Sequence, residues 1–260
     1  MDKVSTKFYK ILYVVLILIF LYLPLIVVAA YSFNASKSTT AWEGFTLDWY
    51  IKLLKNKSVI TSLKNSVMVS TIVTLLSVFV GTLAAIGLNN FKSKITKIAS
   101  QLVYLPVLTP EIIVGIAFLQ IFSMLGLKFG ITTLILSHFS FCVPFVIIVV
   151  SARLNSLPSN LEESARDLGA TRWQAFLHIT VPELLPGIIS GAALAFIMSF
   201  DDVIISFFMS GASSTTLPVK VYSMMKVGVS PEINALSTMV LVVTLIIVCV
   251  IYLRKNFNNK

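Results

Sequence analysis

Charge is what this sequence lacks most: 12% of its 260 residues are Asp, Glu, Lys or Arg, against about 25% in a soluble globular domain. With 57% hydrophobic residues and a mean hydropathy of +0.93, the chain cannot cover a water-facing surface. An ordinary soluble domain is excluded, and an integral membrane protein is indicated. Cysteine is scarce too. Cys142 and Cys249 both lie inside apolar runs, so no disulfide framework is expected. Two histidines, His138 and His178, add no cluster of ligands to these scattered cysteines, and no metal site is expected. A G-x-x-x-x-G-K-[ST] phosphate loop is also missing. The chain should therefore hold no cofactor and be no enzyme itself, and any ATP with its Mg must be bound by another polypeptide.

What is present in quantity is long apolar runs. Six are long enough to cross a bilayer as helices: Ile11 to Tyr31, Val67 to Leu88, Ile98 to Phe122, Ile131 to Ser151, Leu184 to Phe208, and Ile233 to Leu253. The expected fold class is all-α, a polytopic membrane protein with six transmembrane helices in one domain over residues 1–260. The first run has basic residues before it and Val28-Ala29-Ala30 at its end, as a signal peptide would. Its apolar body is too long for one, and it is read as a retained span.

Basic residues set the orientation. With the N-terminus in the cytoplasm, twelve of the 20 fall inside: Lys3, Lys7, Lys10, Lys92, Lys94, Lys97, Arg153, Arg166, Arg172, Arg254, Lys255 and Lys260. Both termini are then cytoplasmic. The remaining lysines lie outside, several of them in or beside Ser32 to Lys64, where Trp49, Tyr50, Leu53 and Leu54 predict a short amphipathic helix on the outer surface. The net charge of +9 is met by this asymmetry and by anionic lipid head groups as partners. It calls for no nucleic acid.

One long polar island interrupts the apolar pattern, from Pro158 to Pro186. It reads as two short helices. Ser159 with Glu162 is one capping box, Thr171 with Gln174 a second, Gly169 supplies the turn between them, and Pro182 and Pro186 close the second unit. On this orientation the island is cytoplasmic. A solvated surface hairpin is the plainer reading, but Leu168, Ala170, Trp173 and Phe176 form more apolar surface than such a loop should expose.

The island runs Glu163-Ser164-Ala165, three residues, Gly169, nine residues, then Ile179-Thr180-Val181-Pro182. This resembles the EAA loop of ABC-importer permeases, with Ser164 and Val181 as mild departures. The resemblance implies a type I ABC-importer permease (MetI-like) fold in the bacterial inner membrane. In it residues 158–186 would couple to a cytoplasmic ATPase through Glu162, Glu163, Ala165, Gly169 and Ala170. Further segments narrow the branch: Ser137 to Val146, Asp167-Leu168-Gly169-Ala170, Asp201-Asp202-Val203, Leu217 to Leu236, Gly44-Phe45-Thr46 and Trp49-Tyr50. Together they are similar to the PotC-type permeases of spermidine/putrescine importers. That family implies a PotB-type permease as a second subunit, two copies of a cytoplasmic ATPase, and an extracytoplasmic polyamine-binding protein.

The residues themselves suit a polycation. Ionisable groups inside spans are costly and usually mark function. Asp201 and Asp202 sit in the fifth run and Glu111 in the third, with no Lys or Arg beside them in the apolar stretches. Carboxylates together with the aromatic faces of Trp49 and Tyr222 would stabilise a passing polyamine. Plainer roles stand beside these. Adjacent Asp201 and Asp202 point about 100° apart on a helix, so one can face a path while the other caps or pairs. Glu111 can satisfy backbone groups freed by Pro106 and Pro110. Trp49 and Tyr222 suit an interfacial belt, and His138 suits a packed, hydrogen-bonded position better than a proton relay. The expected function is the permease subunit of an ATP-driven polyamine importer. The alternatives are the same architecture with another cargo (iron, thiamine, opine) and a proton-coupled secondary carrier titrating Asp201, Asp202 or Glu111.

Overall fold

The structure, a computed structural model, describes residues 3–37, 41–91, 93–158, 160–228 and 230–258. Ser159, named above as a helix cap, and Lys92, Val229 and Lys260 lie outside the described residues. In chain order the helices are α1 (Lys3–Tyr31), α2 (Asp48–Lys55), α3 (Lys57–Asn90), α4 (Lys94–Leu102), α5 (Leu105–Leu108), α6 (Glu111–Met124), α7 (Ile131–Asn155), α8 (Leu161–Asp167), α9 (Arg172–Ala175), α10 (Val181–Phe200), α11 (Ile204–Met209), α12 (Leu217–Val227) and α13 (Pro231–Asn258). Among the described residues, five helices are long and apolar enough to span a membrane, and up to six crossings result if one bent pair counts as a span.

That bent pair is the third expected span. A continuous helix from Ile98 to Phe122 does not form: Lys94–Leu108 and Glu111–Met124 meet at 104°. The cause is local. Proline at 110 disfavours helical backbone at Thr109, which is extended at φ −86° and ψ 131°. The fifth expected span is also redrawn. The helix begins at Arg172, well before Leu184, ends at Phe200, and resumes as α11 after a break at Asp201 to Val203.

The chain divides into two compact units, residues 1–60 with 221–260, and residues 61–220. In the first, α13 packs on α1 and α2. The connection after α1 folds around Asn34, which is fully buried. Its Nδ2 donates to the Ala41 carbonyl at 2.6 Å and its Oδ1 accepts from the Ser36 and Glu43 amides at 3.3 and 3.0 Å. Helix α2 follows as expected from Trp49 and Leu53, both buried. Asp48 in its first turn and Lys52 and Lys55 in its last complement the helix dipole.

In the second unit α7 is the central helix. Leu134, Cys142, Val146 and Val150 are fully buried among Val69, Val73 and Ala85 of α3, Phe122 of α6, Ala195 of α10 and Ile205 and Met209 of α11. Without a water-driven hydrophobic force between spans, close backbone approach at small residues must hold such helices together. Gly81 of α3 and Gly191 of α10 both receive Val146: a Cβ on them would fall 2.8 and 3.3 Å from its side chain. In the same way Gly115 of α6 receives Phe208, whose ring would lie 2.7 Å from an added Cβ.

Candidate functional site

Two places in the 61–220 unit carry the candidate residues. At the first, the break between α10 and α11, the chain leaves helix at Asp201, which is exposed, while Asp202 is 8% exposed. The Asp202 carboxylate turns back onto the next helix and accepts from the amides of Ile205 (3.2 Å) and Ser206 (2.6 Å). These are amides that the first turn of a helix leaves without intrahelical partners. On its other side Asp202 Oδ2 lies 3.3 Å from Nε2 of His138 on α7. His138 is itself 1% exposed, with Nδ1 2.9 Å from the Ser199 hydroxyl and Nε2 3.2 Å from that of Ser206. Placing a carboxylate at the centre of a span costs about 3 kcal/mol on insertion scales. Here the hydrogen bonds and the imidazole offset that cost.

The two aspartates lie in the break and not on one helix, so their different environments do not come from the expected 100° helical separation. Asp202 fastens the break from inside, and Asp201 is the accessible one. Glu111 opens α6, half-buried, and one turn on Gly115 lies against Ile204 and Phe208 of α11, the helix that follows the aspartates. Helix α11 packs directly on α6. Glu111, far from the aspartates in sequence, is thus brought by this helix packing toward their break. Cys142 donates its thiol toward the Ala195 carbonyl at 3.7 Å and belongs to the helix contact. Among the described residues no three His, Cys, Asp or Glu gather as a metal site.

Trp49 and Tyr222 lie in the other unit. The Trp49 indole donates to the Asn34 carbonyl at 2.8 Å, and Lys52 Nζ stands 4.4 Å from its ring centre. Tyr222 is exposed, with Lys226 Nζ 4.8 Å from its ring centre. Each ring face already carries an ammonium of the chain itself, so a polyamine amine there would compete with it.

The second place is the polar hairpin. Helix α8 ends as a Schellman turn: Ala170 N–H donates to the Ala165 carbonyl, Gly169 N–H to that of Arg166, and Gly169 takes φ +96°. The Thr171 and Gln174 capping box forms as expected. Glu162 accepts from the Thr180 hydroxyl at 2.5 Å, fastening α8 to the foot of α10; its expected capping-box partner Ser159 lies outside the described residues. Ala165 is buried at 6%, Ala170 is half-buried, and Glu163 is exposed. The outward face is Leu168, 90% exposed, and Trp173, 67% exposed and stacked on Phe176.

Pro182 and Pro186 do not close the second unit. Helix α9 passes through a wide turn at Phe176–Thr180 straight into α10, giving one helix from Arg172 to Phe200. Pro182 cannot bond to the carbonyl four residues back, and the π turn resets the hydrogen-bond ladder just before it. Pro186 sits inside α10, as membrane helices tolerate.

Apolar spans with an exposed hairpin between two of them, and a carboxylate-bearing break in one, form the fold of an ABC-importer permease. A bacterial ABC transporter for the acidic polysaccharide alginate has a chain that superposes with a TM-score of 0.72 at 18% identity, covering 97% of this chain and 98% of that one. The same kind of transporter in complex with an alginate pentasaccharide-bound periplasmic protein gives 0.71 at 24% identity, covering 95% and 93%. The chain belongs to the family of inner membrane components of binding-protein-dependent transport systems, whose model matches residues 77–260. It is 36% identical over 229 residues to the spermidine/putrescine transport system permease protein PotC of Escherichia coli K12, covering 88% of this chain and 87% of that one. With PotC of Haemophilus influenzae it shares 35% over 240 residues, 92% and 93% of the two chains. With the putrescine transport system permease protein PotI of Escherichia coli K12 it shares 38% over 229 residues, 85% and 82%. It is a multi-pass transport subunit, not an enzyme.

Proposed function

We propose that this chain is the membrane permease through which an ATP-driven importer brings spermidine and putrescine into the cytoplasm. The observation that carries the reading is the 36% identity over 88% of the chain to a permease named for that cargo. The grouping of Glu111, Asp201 and Asp202 supports it, because a linear polycation leaving water is stabilised by carboxylates in a site of low dielectric. Asp201 and Glu111 would meet the cargo, while Asp202, bonded to the amides of Ile205 and Ser206, would hold the break in which Asp201 lies.

The hairpin is the proposed coupling surface. Glu163 and the face of Leu168 and Trp173 would seat on a cytoplasmic ATPase, with the Schellman turn at Gly169 setting the knob's shape and Glu162, Ala165 and Ala170 bracing it from within. ATP and Mg would be bound by two such ATPases, and a second, PotB-type permease and an extracytoplasmic polyamine-binding protein would complete the assembly. Both termini would then be cytoplasmic. The test is uptake of radiolabelled spermidine and putrescine by cells with and without this chain. Loss of saturable polyamine uptake on its removal supports the reading, and unchanged polyamine uptake with loss of another solute's transport overturns the cargo.

A further inference from the structure

Helices α7 and α10 run antiparallel in one continuous register. His138 meets Ser199, Cys142 meets Ala195, Val146 lies against Gly191, and Arg153 lies against Gly187 and Glu183. The middle of this seam is small and apolar, and each end carries a polar lock. At the hairpin end, Arg153 Nε donates to the Glu183 backbone carbonyl at 2.8 Å and a terminal guanidinium nitrogen to its Oε2 at 2.9 Å. The guanidinium also reaches the Ser156 hydroxyl at 3.5 Å, and that hydroxyl donates to the Arg153 carbonyl at 2.7 Å. The Arg153 stem is pressed so closely onto α10 that a Cβ on Gly187 would lie 2.6 Å from its Cβ.

This lock joins the two ends of the hairpin. Helix α7 enters it at Asn155, the helix from Arg172 to Phe200 leaves it, and Glu162 of α8 is tied to Thr180 between them. Both partners of the ion pair are partly exposed, at 32% and 51% of their side chains. Exposed pairs add little to stability, so the fold does not need this one. Its geometry is nevertheless that of a two-point clamp, backbone and side chain together, which fixes orientation as a single surface contact does not.

Resting on the proposed function, we infer that Arg153 and Glu183 are positioning residues for coupling: their clamp makes α7 and α10 one lever, so that displacement of the hairpin reaches the Asp201 break instead of being absorbed by sliding of one helix on the other. The lock of His138 with Ser199 and Asp202 receives that displacement at the far end. The side-chain arm of the clamp should fail as a pair, while loss of Arg153 removes the backbone arm as well.

The experiment uses the assembled transporter in proteoliposomes with its ATPase and binding protein, measuring labelled spermidine uptake and ATP hydrolysis on the same sample. Arg153→Gln and Glu183→Gln should each keep the ATPase bound while lowering spermidine carried per ATP hydrolysed by roughly tenfold. The double variant should be no worse than Arg153→Gln alone, and the exchange Arg153→Glu with Glu183→Arg should recover part of the loss. An unchanged ratio in the single variants overturns the inference, as do multiplying effects in the double. Loss of ATPase binding in Arg153→Gln also overturns it, since the contact would then shape the docking knob. Failure of the unsubstituted transporter to carry spermidine at all would sink the cargo reading instead. In that event the same ratio is read with the solute that it does carry.

Discussion

At the scale of single residues, the buried imidazole at position 138 tests whether the break after α10 is built or incidental. His138→Ala would leave the Asp202 carboxylate in the interior without its imidazole partner and strip a contact from Ser199 and Ser206. Leaving a buried group short of a hydrogen-bond partner costs about 1–3 kcal/mol. A clear fall in melting temperature in detergent is therefore expected, with His138→Gln recovering a part through its amide. A second prediction separates the neighbouring aspartates. Asp201→Asn should raise the KM for polyamine uptake and leave thermal stability unchanged, because its side chain is exposed. Asp202→Ala should lower stability as well, by about 1–3 kcal/mol for the amides of Ile205 and Ser206 left without an acceptor. Equal effects of the two on stability would show that the division of labour is wrong.

Among the elements, the hairpin was the most legible part of the chain. The Thr171 and Gln174 cap and the left-handed Gly169 are local, set by residues three or four apart, and both are present. The two breaks were harder to see. Thr109-Pro110 and Asp201-Asp202 are short polar interruptions with long apolar runs on both sides, so a window averaged over a whole span joins what backbone geometry separates. Pro110 carried a readable signal, its effect on the residue before it. Asp202, three residues ahead of Ile205, had the spacing of a helix-capping side chain. Nothing local announces the meeting of Arg153 with Glu183 or of His138 with Ser199, since each depends on the antiparallel register of α7 and α10. Pro182 was misread because a proline in the first turn of a helix is as compatible with a start as with a stop. The element-scale prediction concerns Gly169. Any L-residue at φ +96° is strained by about 1–2 kcal/mol, so Gly169→Asp should insert normally yet lose ATPase in a pull-down from detergent extract, where Leu168→Ala should weaken it by a smaller margin. Normal recovery of the ATPase by the Gly169 variant would remove the hairpin from the docking surface.

For the whole molecule, the scarcity of charge and the placement of the few carboxylates belong to one design. The chain spends most of its sequence on helices, and of its eleven acidic residues it places Glu111, Asp201 and Asp202 inside apolar stretches, at the start of α6 and at the break between α10 and α11. On the proposed function a partner ATPase would supply the energy, and the hairpin is the surface through which that energy would enter. The central claim is ATP-coupled movement of a polyamine, and the most direct measurement is labelled spermidine uptake into proteoliposomes holding the assembled transporter, with ATP inside or outside the chamber of the ATPase and with a proton gradient imposed or abolished. The account predicts saturable accumulation that requires ATP hydrolysis on the hairpin side and ignores the proton gradient. Accumulation that proceeds without ATP and follows the gradient would contradict it.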